Sequence, residues 1–449
     1  MRTGTTYPAA RERGHPIRDI FGDTPWLRTA SALAVFCLLL VLRVANADAP
    51  PTTSPPPAVD PAFYDYDAAA PFPVGEKPFA VQDGVQITRL TYPSPVVSPY
   101  AVNNTVTAYF FQPPGPGPHP AMVVLHEWNA GSTVGAFKLA QALVSADVAA
   151  LVVVEPYSLN RKPRGKQYDG RDDTEILSGN VPHMVGALRQ AVLDSRRGLD
   201  YLARRPDIDP SRLGIAGISL GGILSGLTAG VDPRIKVVVT IVGGADFAKG
   251  FWDGIVTRRY RDQIKRSGYT YETYQAAMAP VDAASWLPKR HFNPEDVLMI
   301  NGRYDLVVLP DGAKALARDF GGTKIVWLNT GHYGASSGAD VAARLGKQFL
   351  RARFFGETAS FHRPDGLPAR TIKLGLLLGG HEGVSPVVAA PLLNFDGPGR
   401  YTIDGQLTLH GLSLAASARI GLISSVGVEF PLLHGRVKPR PFVMFSLTL

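Results

Sequence analysis

Gly217-Ile218-Ser219-Leu220-Gly221 sets a hydroxyl between two glycines at a spacing that serves nucleophilic attack. Residues 213–216 before it read as a strand, and a helix is predicted from about Leu220 through Ile223, Leu224 and Leu227. A turn this tight leaves no room for a Cβ at the flanking positions and holds the serine in a strained backbone conformation. The serine oxygen then stands clear of the backbone, above a helix N-terminus with unpaired N–H groups. A hydroxyl is a weak nucleophile near neutral pH, so Ser219 needs a base, and the base needs an orienting acid.

Two downstream strand ends can supply them. An apolar strand over 297–300 runs into Asn301-Gly302-Arg303-Tyr304-Asp305, and a second over 324–328 ends at Asn329-Thr330-Gly331-His332-Tyr333. In a parallel sheet such ends share one edge, so Ser219, Asp305 and His332 can meet there although they are far apart in sequence. Their order is serine, acid, histidine. Asp246, just past the strand over 235–242, is a rival for the acid role, and Asp305 is preferred for its place in that order. Upstream, the strand over 121–125 leads into His126-Glu127-Trp128-Asn129-Ala130-Gly131. The backbone N–H groups of Leu220 and Trp128 are the expected oxyanion donors, each worth on the order of 3 kcal/mol of transition-state stabilisation. His126 is expected to brace this loop.

On these residues the chain resembles an α/β-hydrolase, and within that superfamily it is similar to the dienelactone hydrolase and acetyl-xylan-esterase-like branches. The resemblance is carried by His126-Glu127-Trp128, the elbow with Gly222, Asn301 to Asp305, and Gly331-His332-Tyr333, and it covers roughly residues 79–355. It implies Ser219 as nucleophile, Asp305 as acid, His332 as base, and Trp128 and Leu220 as oxyanion donors. Dienelactone hydrolases proper use a cysteine nucleophile. Serine at this position points instead to ordinary carboxylic esters.

The positioning elements follow that fold: a doubly wound, mostly parallel sheet with flanking helices over 136–144, 183–204, 312–320 and 339–353. Residues 155–180 and 249–290 leave strand ends and are expected to shape the substrate site. The first holds Tyr157, Arg161, Lys162, Arg164 and Lys166, read as solvated surface or as a clamp for an anionic substrate. The second is a cap or lid whose aromatic residues, from Phe251 to Trp286, fit a cap core or a pocket lining equally.

The 449 residues exceed one ordinary core. The division read here is an export segment over 1–47, a Pro-rich linker over 48–78, a hydrolase domain over 79–356 and a β-strand module over 369–449. Residues 32–42 are an apolar run after Arg2, Arg11, Arg13, Arg18 and Arg28, and Ala45-Asn46-Ala47 follows as a small-x-small cleavage site. The run is short for a membrane span, though an uncleaved anchor stays open. The expected location is periplasmic, cell envelope or secreted, and cleavage after Ala47 would remove Cys37, the single cysteine. A net charge of +8 without an Arg/Lys stripe points to no nucleic-acid partner, and the ten scattered histidines show no metal spacing. No cofactor is expected.

From Ala369 on, apolar residues alternate with small or polar ones, and five or six strands fit. The pattern resembles outer-membrane barrel strands. Eight strands are the usual minimum for such a barrel and a closing aromatic is absent, so the expectation is a soluble or surface-associated module, with envelope or membrane association through it. The activity expected is an exported serine esterase acting on a small-molecule ester. Acyl transfer or peptide cleavage on the same triad, and a non-catalytic envelope binding protein, are the alternatives.

Overall fold

The computed structural model describes residues 59–163, 174–254, 256–336, 339–357, 361, 363–364, 371–380, 383–394, 401–409, 411–432 and 439–449. The expected export segment, Cys37, the linker up to residue 58, Arg164 and Lys166 lie outside them. Nine strands form one mixed sheet: β1 (Gly75–Gln82), β2 (Val85–Pro93), β3 (Thr105–Gln112), β4 (His119–Leu125), β5 (Ala149–Val153), β6 (Ile208–Ile218), β7 (Ile235–Ile241), β8 (Val297–Gly302) and β9 (Ile325–Leu328). Their order across the sheet is β1-β2-β3-β5-β4-β6-β7-β8-β9. β1 to β3 pair antiparallel, β3 pairs antiparallel with β5, and every pair from β5 onward is parallel.

The parallel strands are apolar on both faces because helices cover both. β4 and β5 are buried at every position. On one side lie α2 (Val181–Ala203) and α3 (Leu220–Val231), and Leu188, Val192, Leu199 and Leu202 pack there with Leu151 and Ile215. On the other, α1 (Val134–Val144) and α9 (Ala339–Phe355) bring Leu143, Phe349 and Leu350 against Val124, Val152 and Ile300. Each such aliphatic side chain, taken fully from water, contributes about 1.5–3 kcal/mol. Asn180 caps α2 by accepting from His183 N–H at 3.2 Å, and Pro182 sits in the first turn, where no N–H is needed.

Residues 59–78, expected as the end of a linker, are part of the folded domain. Tyr64 is buried and donates to Pro280 O at 3.0 Å, and Tyr66 donates to Asp200 at 2.9 Å. Arg189 and Arg196 of α2 donate to the carbonyls of Phe63 and Tyr64, both at 2.6 Å. Aromatic anchors and arginine-bound carbonyls tie this Pro-rich stretch down.

The cap is built from α4 (Phe247–Asp253), α5 (Arg258–Arg266), α6 (Tyr271–Met278) and short 3-10 turns. Its aromatics are mainly its own core: Phe251, Tyr260 and Tyr274 are buried, Phe251 stacks on Phe247 and Tyr260, and Trp252 stacks on Tyr274. Arg161 is neither surface nor clamp. It is fully buried, paired with Asp194 at 2.7 Å and bonded to Val154 O and Asn103 O, so it anchors the loop after β5 to α2.

The C-terminal module is a closed antiparallel barrel of six strands: β10 (Lys373–Gly379), β11 (Gly383–Asn394), β12 (Tyr401–Thr408), β13 (Gly411–Arg419), β14 (Ser424–Pro431) and β15 (Arg440–Thr448). Five or six strands were expected here; six form, and the sheet closes through the pairing of β10 with β15 from Lys373↔Thr448 to Gly379↔Phe442. Small residues make closure possible. Gly375 lies so near Phe445 O and Ser446 that no Cβ would fit.

Candidate active site

The chain leaves β6 at Ile218 and enters α3 at Leu220, which puts Ser219 at φ 55°, ψ −117°. A non-glycine residue in this region costs on the order of 1–3 kcal/mol and needs its surroundings to hold it. Here Ser219 N–H donates to Ile241 O at 2.8 Å, and Ser219 O accepts from Ile223 N–H at 3.0 Å. A Cβ on Gly217 would strike the carbonyl of Gly221, and one on Gly221 would strike those of Leu125 and His126. The two glycines let the elbow seat against the end of β4.

The histidine and the acid arrive on the neighbouring loops. Arg303 N–H donates to Leu328 O at 2.8 Å and Tyr304 N–H to Thr330 O at 3.0 Å, lacing the turn after β8 to the turn after β9. His332 opens the short helix α8 (His332–Ser336), with α7 (Pro310–Asp319) lying between β8 and β9 in sequence. His332 Nε2 lies 3.0 Å from Ser219 Oγ, and its Nδ1 lies 2.7 Å from Asp305 Oδ2. Asp305 Oδ1 accepts from Val307 N–H at 2.8 Å and Val308 N–H at 2.9 Å. Asp305 is fully buried, while Ser219 and His332 keep a sliver of exposure, 8% and 7%, enough for a substrate atom to reach them. Asp246, the rival acid, caps α4 at φ 55° and makes no hydrogen bond to His332.

Ser219, His332, Glu127, Trp128 and Tyr333 line a cavity of about 550 Å³. A larger depression of about 660 Å³ lies on the barrel, and reacting groups rather than volume single out the first. Leu220 begins α3, so its N–H has no intrahelical acceptor and is free for an oxyanion. Trp128 is held edge-on against Tyr260 of the cap at 6.2 Å. His126 is fully buried: its Nδ1 meets Glu127 O at 2.7 Å and its Nε2 accepts from Glu155 N–H at 3.1 Å. Burial pushes its imidazole down from the ordinary value and keeps it neutral, which suits this bracing.

Glu155, which sequence reasoning passed over, sits fully buried beside this loop, and neither of its carboxylate oxygens accepts a hydrogen bond among the described residues. Burial, with the charge of Glu127 second, raises its carboxyl well above the usual range, which favours the protonated, neutral form. The signal available was a Glu directly after an all-apolar parallel strand. Among the described residues no group of three or more His, Cys, Asp or Glu is arranged to hold a metal ion.

The model of the prolyl oligopeptidase family matches residues 189–325, a span that holds Ser219 and Asp305 and stops before His332. Acetyl xylan esterase 1 from Thermoanaerobacterium sp. JW/SL YS485 superposes with a TM-score of 0.52 at 20% identity, over 66% of this chain and 95% of that one. The chain has the α/β-hydrolase fold. An acetyl xylan esterase from Paenibacillus sp. R4 gives a TM-score of 0.47 at 17% identity, over 65% of this chain and 91% of that one. YtaP of Bacillus subtilis (strain 168), a protein provisionally named a hydrolase, is 37% identical over 83 residues, 18% of this chain. The matched stretch spans about a quarter, 26%, of that relative's length. The family match ends at residue 325, within the nine-stranded sheet β1 to β9, and the six-stranded barrel is a separate sheet.

Proposed function

We propose that this protein is a serine esterase that cleaves carboxylic esters through Ser219, His332 and Asp305. The observation that carries the reading is the hydrogen-bonded line from Ser219 Oγ through His332 to Asp305, at 3.0 and 2.7 Å, with the serine held at positive φ on an elbow. Ser219 Oγ attacks the ester carbonyl carbon while His332 Nε2 takes its proton. Asp305 keeps the other ring proton on Nδ1 and stabilises the imidazolium. Negative charge on the carbonyl oxygen is met by the N–H groups of Leu220 and Trp128. His332 then protonates the departing alcohol, and a water activated by the same nitrogen releases the acid from Ser219.

Peptide-bond cleavage is a second reading, and it rests on the family match over residues 189–325. Ester cleavage is favoured because the resemblance of the loops and the fold neighbours both include esterases. The basic N-terminal flank, apolar run and Ala45-Asn46-Ala47 support export of the enzyme. The test is turnover of p-nitrophenyl acetate beside a peptide p-nitroanilide by the full chain and by Ser219→Ala. Ester turnover that vanishes in the variant supports the proposal. Turnover of the anilide alone moves the enzyme to the peptidases, and unchanged ester turnover in Ser219→Ala removes the nucleophile.

A further inference from the structure

The register of the barrel sorts its side chains into two sets, and the sorting is the reverse of a water-soluble barrel. Lys373 faces inward, and the pairings carry that face through Ala389, Gln406 and Ser413 around the sheet. Asp404, Ser417, Glu429 and Ser446 point the same way, and all four are buried. Inside, Lys373 Nζ lies 2.7 and 2.9 Å from the Asp404 oxygens, and Ser417 donates to Asp404 at 2.9 Å. Small side chains and a cluster that includes Leu377, Phe442 and Met444 fill the rest.

Outward, no position in the six strands carries a charged side chain, and the hydroxyls there are those of Tyr401 and Ser424. Each strand presents aliphatic or aromatic groups there: Leu378, Val388, Leu407, Leu412, Phe430 and Phe445 are one example from each. Val388, Leu407 and Leu412 are 45–52% exposed. Soluble sheets place polar residues on the open face and rarely expose an apolar patch beyond a few hundred Å².

We propose that this outer surface is lipid-facing and that the barrel seats the enzyme in a bilayer. Three observations favour lipid over a protein partner. The apolar positions lie on all six strands of a closed sheet, so a partner docked from one side would cover a sector and leave the rest wet. Closure leaves no unpaired strand edge, as a hydrocarbon surrounding requires. The hydrolase domain occupies one end of the barrel and not its side. Thr330 donates to Leu449 O at 3.3 Å, and the Arg419 guanidinium stacks 3.7 Å over the Tyr304 ring. Length agrees as well: a nine-residue strand such as β13 or β15 rises about 30 Å, or about 23 Å along an axis tilted by roughly 40°, close to the ~25 Å apolar band of membrane barrels. Among the described residues no helix is long and apolar enough to cross a membrane, so within them this surface falls to the barrel.

The experiment uses the full chain, purified in detergent and reconstituted into phosphatidylethanolamine/phosphatidylglycerol vesicles. The protein is expected to float with the vesicles and to stay with them through a carbonate wash. Val388→Lys combined with Leu407→Lys is expected to lower the vesicle-bound fraction about tenfold or more, because each lysine must be carried into hydrocarbon. Turnover of a soluble ester, expected to stay within about twofold of the parent, shows that the variant is folded. Single nitroxide labels at Leu407 and at Gln406, each on an introduced cysteine in a Cys37→Ser background, give a second reading that does not depend on the lysines. Leu407 should be open to dissolved oxygen and closed to a nickel chelate, and Gln406 should be shielded from both. A carbonate-extractable protein, a detergent-free monomer or dimer in solution, or a Leu407 label open to nickel would each overturn the proposal.

Discussion

Asp305→Asn asks whether the acid holds the imidazole by its tautomer. One carboxylate oxygen accepts from Val307 and Val308 N–H at 2.8 and 2.9 Å, and the other faces His332 Nδ1 at 2.7 Å. An asparagine has a single oxygen to share between these sides. Turning it toward His332 would set the amide NH2 against two backbone donors and leave both unpaired in a fully buried site. At about 1–3 kcal/mol for each unpaired group, the orientation that keeps the oxygen on the backbone wins by roughly 2–6 kcal/mol. The NH2 then points at Nδ1, which must accept, so the ring proton moves to Nε2 and faces Ser219. Only the minor population keeps a competent base, and kcat should fall by about 30-fold to 10⁴-fold. The assay is p-nitrophenyl acetate turnover with a melting curve to show that the fold persists. Asp246→Asn, at a residue with no hydrogen bond to His332, should stay within about threefold of the parent. A kcat for Asp305→Asn within threefold of the parent, or an equal loss in Asp246→Asn, would refute this reasoning.

Gly221→Ala should destabilise the domain by on the order of 3 kcal/mol and abolish activity, since the new methyl would meet the backbone of Leu125 and His126; a denaturant titration measures it. Arg161→Ala should cost about 3–5 kcal/mol in the same titration, because it strands the buried Asp194 carboxylate. Glu155→Gln tests the neutral acid through pH. The raised folded-state pKa means the native protein favours the protonated form, so wild-type stability is full below the unfolded value of about 4.3 and is lost as pH rises above it. The variant should therefore melt with wild type at pH 4 and above it at pH 8, and coincident curves at both would contradict the assignment. N-terminal sequencing of enzyme from its native host should read from near Asp48 if export proceeds as the sequence indicates.

The candidate catalytic edge was legible because the chemistry proposed for it demands particular residue types in particular places. Gly-x-Ser-x-Gly, an Asp after one strand and a His after another survive as local signals, and β4 to β9 were readable as short apolar runs, with β4, β5 and β8 buried at every position. β1 escaped because it is exposed along its whole length and has no apolar face to give a period. Residues 59–74 read as linker by their prolines, and only the partners of Tyr64 and Tyr66, more than 130 residues away, show otherwise. Arg161 looked like surface charge because its carboxylate, Asp194, is supplied by a distant helix. The barrel strands were visible by alternation, but alternation does not say which face turns inward. That follows from closure, which is a property of the β10–β15 pairing.

The central claim is that Ser219 is the nucleophile of a hydrolytic site, and covalent capture tests it most directly. The full chain is treated with a fluorophosphonate, digested, and the adduct mapped by mass spectrometry. A single modification is expected, on Ser219, formed in step with loss of ester turnover and absent from Ser219→Ala. His332→Ala should slow its formation by about 10²-fold or more. Full inactivation with the label on any other residue, or unmodified Ser219 in an enzyme that still turns over ester, would contradict the account.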